Sequence, residues 1–138
     1  MAIGNGLNRA VEEPFEGFIS NFRLVKGTAL YTSSFTPSTS PLTVVTNTKL
    51  LTCCSNRFVD KSVGATFSFT GSPKIQPFSP FAPSTSYLPA TKGGSMSSSG
   101  SGDGATIAAN TALDLLSNGT FTIDFWFYRT SSFGTYSD

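Results

Sequence analysis

The chemistry open to this chain is narrow. It carries eight Asp and Glu, nine Lys and Arg, and no histidine. Without histidine a Ser–His nucleophile pair cannot form. Glycoside hydrolysis requires two carboxyl groups flanking one bond. The most regular candidate strand, Thr120 to Thr130, offers one acid, Asp124, between Ile123 and Phe125. No second acid falls within reach on the same face of that strand. Asp60, and Asp103 in Gly-Ser-Gly-Asp-Gly, are weak Ca²⁺ candidates, because calcium takes about six to eight oxygens, usually from several carboxylates. Isolated Asp in Gly/Ser turns are more simply turn residues, so no cofactor or metal is expected. Cys53 and Cys54 are adjacent. Strand neighbours point to opposite faces and a bridge between them is strained, so two free, packed thiols are expected. Trp126 and Tyr128 share one face of the same strand and are the candidate glycan-binding residues, as aromatic platforms for a sugar ring. The simpler reading is that a second layer covers that face. No catalytic residue is assigned, and the chain reads as non-enzymatic.

These residues must be positioned by a packed scaffold, and the composition says which kind. Charged residues make up 12% of the 138, against roughly 25% in ordinary domains. Ser, Thr, Gly and Pro fill the polar positions, as in extracellular β-proteins built from many short strands and turns. Thirteen Phe are more than a disordered chain carries. The net charge of +1 comes with Lys and Arg scattered singly, which leaves no stripe to neutralise phosphates and argues against nucleic acid. No apolar run approaches the roughly 20 residues of a membrane-spanning helix, so no membrane partner is expected. The first residues lack the apolar core of a signal peptide. An extracellular location therefore implies release by lysis or by a separate secretion system.

Period-2 alternation marks the elements. Phe18 to Val25 is a half-buried strand that Lys26-Gly27 stops, followed by a Ser/Thr/Pro-rich surface crossing. Leu42 to Val45 is a short β-branched candidate. Lys49 to Arg57 is a strand apolar on both faces at Leu50 and Leu51, and Phe58 to Ser62 turns. Ala65 to Thr70 sets Phe67 and Phe69 on one face, and Gly71-Ser72-Pro73 turns into a strand over Lys74 to Phe78. Gly93 to Gly104 has linker composition or forms two short strands around a Gly-rich hairpin. Ala105 to Ala109 is a further strand, and Asn110 to Leu116 permits one helical turn capped by Asn110 or Thr111. Asn118-Gly119 signals a turn that also explains the glycosylation-like Asn118-Gly119-Thr120. In the strand beyond it, Phe121, Ile123, Phe125 and Phe127 form one face. Phe22, Leu24, Leu50, Phe67, Phe69 and this quartet are the expected core.

Two stretches resemble concanavalin A-like (laminin-G-like) jelly-roll domains of tailed-phage structural and fibre proteins, notably those of marine bacteria and cyanobacteria. Phe-Glu-Gly-Phe-Ile-Ser-Asn-Phe-Arg-Leu-Val-Lys-Gly-Thr-Ala-Leu-Tyr-Thr from Phe15, running on through Phe35-Thr36-Pro37 to Leu50-Leu51-Thr52-Cys53, is similar to the closing part of such a domain. Gly100-Ser-Gly-Asp-Gly-Ala-Thr-Ile-Ala-Ala-Asn-Thr-Ala-Leu-Asp-Leu, followed by Phe121-Thr-Ile-Asp-Phe-Trp-Phe-Tyr, is similar to the opening part. The resemblance implies an all-β fold, an antiparallel jelly-roll β-sandwich. Residues 1–92 form a closing half and 93–138 the opening strands, either a slice across two tandem repeats or one permuted sandwich completed by neighbouring subunits. It also implies a structural or adhesion module on the outer surface of a virion: a tail or head fibre, or a capsid-decorating protein. Its partners would be copies of itself, neighbouring virion proteins and host surface glycans. A carbohydrate-binding module and a filament subunit assembled by strand exchange are the alternatives.

Overall fold

The computed structural model describes residues 1–4, 15–81, 92–100, 102–115 and 119–131. Their elements are β1 (Ala2–Ile3), β2 (Glu16–Lys26), β3 (Thr48–Thr52), β4 (Phe67–Thr70), β5 (Lys74–Gln76), β6 (Ser95–Ser99), β7 (Gly104–Ile107), a 3₁₀ turn (Thr111–Leu113) and β8 (Phe121–Arg129). The 3₁₀ turn is capped by Asn110, whose Oδ1 accepts the Ala112 N–H at 2.8 Å. All strand pairings are antiparallel. A small sheet has the order β1-β7-β4, and a larger one is built on β2. One edge of β2 is shared, with β6 pairing its first half and β3 its second, while β8 runs along the other edge from Gly17 to Lys26. Strands from the first 92 residues and from the remainder thus interleave in both sheets. The result is an all-β, sandwich-like pair of antiparallel sheets.

Strict alternation along β2 would place Phe18, Ser20, Phe22 and Leu24 together. The register shifts instead between Ser20 and Arg23, where Asn21 and Phe22 both lie opposite Phe125. Asn21 has φ 53°, a left-handed conformation that Asn tolerates better than most residues. Such a bulge flips the alternation. Ile19, Phe22 and Leu24 therefore face the small sheet, and Phe18, Ser20, Arg23 and Val25 face outward. The main core joins Ile19, Phe22, Leu24, Leu50 and Met96 of the large sheet, with Cys53 just past β3, to Ile3, Ala105 and Ile107 of the small one. A second cluster of Leu42, Leu51 and Cys54, with Trp126 against it, lies on the outer face. Leu50 and Leu51 are buried on opposite faces, as the sequence indicates.

Several expectations are corrected. Phe22, Leu24 and Leu50 are buried and Phe67 packs partly against the core, but Phe69 is 47% exposed, and Phe121, Ile123, Phe125 and Phe127 are 46%, 38%, 45% and 64% exposed. Among the described residues the small sheet has three strands, one of them two residues long, which is too narrow to cover β8. Leu42 to Val45 is no strand: its polar groups bond to side chains of β2 and to Thr48. The strand from Lys49 ends at Thr52, because Cys53 turns to φ 55° and its carbonyl accepts the Asn21 N–H at 2.8 Å. Ser95–Ser99 and Gly104–Ile107 form no hairpin with each other; β6 belongs to the large sheet and β7 to the small one. Asn118 lies outside the described residues.

Gly17 carries φ 148°, in the region that favours glycine. A Cβ there would run into the Tyr128 carbonyl and the Arg129 Cα. The close approach of the end of β8 to β2, at Tyr128 and Arg129, depends on this glycine.

Candidate functional site

β8 gathers the residues with chemical potential, and its two faces are treated differently. The outer face is closed by the chain between β2 and β3. The Leu30 N–H donates to Thr122 Oγ1 at 2.9 Å, and that hydroxyl donates to the Thr28 carbonyl at 3.1 Å. Two pairs further along, Asp124 sits opposite Arg23. The guanidinium donates through Nε to Oδ1 at 3.0 Å and through Nη2 to Oδ2 at 2.6 Å, while Nη1 donates to the Thr43 carbonyl at 3.1 Å. Tyr31 donates its hydroxyl to Asp124 Oδ2 at 2.7 Å, and its ring stacks on Phe35 at 3.9 Å. Burial, and then the hydrogen bond to Asp124, hold the Tyr31 phenol above its usual pKa. A forked, charge-assisted pair of this kind is among the stronger polar contacts available to a protein. Every strong donor around Asp124 serves to fasten the loop to the sheet.

Trp126 continues this covered face. Its ring meets Phe81 edge-on at 5.2 Å and packs against Leu42, Leu51 and Cys54. The indole is half-buried among these side chains. Tyr128 differs. It is 57% exposed, beside Phe18 at 6.4 Å and Phe78 at 5.2 Å. The structure separates the two residues proposed as one platform: the first is packed and the second is open.

The remaining candidates are committed to the fold. Asp60 Oδ1 accepts the Leu51 N–H at 3.0 Å, the Ser62 N–H at 2.8 Å and the Ser62 hydroxyl at 2.7 Å; Oδ2 accepts the N–H groups of Val63 and Ala65. Burial alone would raise its pKa, but these donors outweigh it and the pKa is lowered. Asp103 Oδ1 accepts the Ser72 N–H at 2.6 Å, and Oδ2 accepts the Ser99 N–H and hydroxyl at 2.9 and 2.7 Å. The Ser72 N–H leads in lowering its pKa. Each carboxylate already accepts several N–H or O–H groups, and among the described residues no group of three His, Cys, Asp or Glu gathers around either of them. Cys53 and Cys54 are free thiols, one packed in each cluster. Burial pushes the Cys53 pKa to about 12, which leaves it without nucleophilic character at neutral pH.

Missed from the sequence was the inner face of β8 as a surface. Phe121, Ile123, Phe125 and Phe127 are continuous with the main core, through Phe22–Phe125 at 5.5 Å and Phe15–Phe127 at 6.4 Å. The free edge of β8 is a second feature. Its only pairing among the described residues is with β2. No local signal marks it, because the alternation of β8 reads the same whether its apolar face is covered or open.

No family model, curated protein or solved structure matches the chain.

Proposed function

We propose that the chain is a non-enzymatic structural or adhesion module of a tailed-phage virion: a tail or head fibre, or a capsid-decorating protein on the outer surface. In this reading its sheets are part of a concanavalin A-like jelly roll whose remaining strands come from neighbouring chain. The observation that carries the non-enzymatic reading is the fate of Asp60, Asp103 and Asp124. Each is used up by donors that hold a loop, while the uncommitted surface is an apolar strand face, suited to assembly rather than to turnover. The virion setting rests on the resemblance of residues 15–53 and 100–128 to phage repeat domains. Its partners are copies of itself, neighbouring virion proteins and host surface glycans.

Two measurements test this. Immunogold labelling of tailed particles that encode the chain should mark the outside of the virion; unlabelled particles would overturn the setting. In a reducing-sugar assay on β-glucans the isolated protein should release nothing above background, and steady release abolished by Asp124→Asn would overturn the non-enzymatic reading.

The exposure of Tyr128 next to Phe18 and Phe78 favours one second reading, a carbohydrate-binding module. It predicts that polysaccharide changes tyrosine fluorescence in the wild type and not in Tyr128→Ala.

A further inference from the structure

The inner face of β8 and the edges beside it form a surface that is half of something. At about 200 Å² for a large side chain in the open, the exposed parts of Phe121, Ile123, Phe125 and Phe127 amount to about 400 Å². This is core-like surface, continuous with the buried cluster through Phe22 and Phe15, and β8 carries one charged side chain before its final Arg129, the Asp124 already bound on the opposite face.

The small sheet shows which element is wanting. β4 lies toward β3 and β5: Phe69 packs on Phe58 at 4.6 Å, the Lys61 N–H donates to the Leu51 carbonyl in β3, and Gly71 to Pro73 alone separate β4 from β5. β1 is the opposite edge of that sheet. Just past it, the Gly4 carbonyl accepts the Phe15 N–H, and the Phe15 ring reaches Phe127. One more strand beside β1 would therefore lie over Phe121 to Phe127. Among the described residues, β1 pairs only with β7 and β8 only with β2. Among its described residues one chain thus presents an edge without a further strand, a face without a cover, and a strand with an open edge and an apolar face.

We propose that a second copy of this chain fills the gap through a two-fold axis, its β8 lying beside β1 and over β8 of the first copy. The rotation does both jobs at once: each β8 covers the other's aromatic face, and each adds a strand to the partner's small sheet. Such a contact is self-complementary and closes at two copies. Its size fits a stable dimer. Two faces bury about 800 Å² of apolar surface, and at the roughly 56–65% apolar share of protein interfaces the whole contact comes to about 1,200–1,400 Å², the lower part of the range for specific complexes. An unpaired strand edge left in water is a template for uncontrolled pairing, and the dimer occupies both edges at this end of the sandwich. The inference rests on reading the chain as an assembly module.

Native mass spectrometry and sedimentation of the full chain at tens of micromolar test it. The wild type should be a dimer. Phe127→Lys and Ile123→Lys, which place an ammonium in the apolar contact, should weaken dimerisation at least tenfold, whereas Val63→Lys, at an exposed loop valine, should leave it unchanged. Amide exchange in β1 and β8 should slow as protein concentration rises. This last measurement needs no variant and decides the matter if a lysine substitution fails to fold. A monomer at every concentration, an open series of trimers and longer fibres, a dimer indifferent to both lysines, or exchange independent of concentration would each overturn the proposal. A monomer that still labels virions would remove the dimer and leave the assembly-module reading standing.

Discussion

The two faces of β8 invert the usual relation between composition and burial. The outer face bears Thr122, Asp124, Trp126 and Tyr128, and the first three are covered. The inner face is apolar from Phe121 to Phe127 and lies open along that length. The covering element is the loop from Gly27 to Asn47, which the chain fastens to polar atoms: Thr122 holds Leu30 and Thr28, Asp124 holds Tyr31, Arg23 holds Thr43, and Asn21 holds Leu42. A loop carries backbone donors and acceptors that need partners, so it settles on a face that can supply them. An apolar face has no such claim on a loop and waits for another sheet. Hydrophobicity tells which surface ought to be buried; connectivity tells which surface this chain can bury unaided.

The comparison can be broken most forcefully at Arg23. Replacing it by Ala leaves Asp124 half-enclosed without its cation and frees the loop. Removing one partner of a buried pair costs about 3–5 kcal/mol, and with Asp124 slightly exposed the lower end is expected, read as a fall in the denaturant midpoint. If Arg23→Ala matches wild type, the loop is held by packing alone. A second test contrasts two large apolar side chains. Leu24→Ala, at a fully buried position of β2, should cost about 2–5 kcal/mol. Phe127→Ala, at a mostly exposed one, should cost less than about 1 kcal/mol in the monomer, and equal losses would show that the inner face is covered even in a single chain. The smallest effect concerns acid. The lowered pKa values of Asp60 and Asp103 mean that the unfolded chain binds protons first. Their contribution is therefore complete above the unfolded carboxyl pKa of about 3.9 and is lost as pH falls through the lower folded values. Denaturant midpoints should be level from pH 7 to 5 and drop below about pH 4, and Asp103→Asn should flatten that drop.

Most strands are legible in the sequence because alternation and turn residues are local signals. Phe18 to Val25 anticipates Glu16–Lys26, and Thr120 to Thr130 anticipates Phe121–Arg129. Asn110 as a cap and the free, oppositely facing cysteines follow from short-range geometry as well. What escapes is set at long range. The bulge at Asn21 depends on the Cys53 carbonyl thirty-two residues later, and it reverses which residues of β2 face inward. The opening of the Phe121 to Phe127 face depends on a small sheet whose described strands end at β1. Within the candidate site, Asp124 was visible as a lone acid. Its partner Arg23 was not, because their pairing joins the two ends of the chain.

The free thiols give the fold its own clock. Cys53 and Cys54 sit side by side in sequence yet belong to separate clusters, one between the sheets and one under the Gly27 to Asn47 loop. A thiol reagent can reach either only when its own compartment opens. The rate at which each cysteine is alkylated therefore times a different door: Cys54 the lifting of the loop, Cys53 the parting of the two sheets. Two adjacent residues thus carry separate gauges of how long each layer of the molecule stays shut.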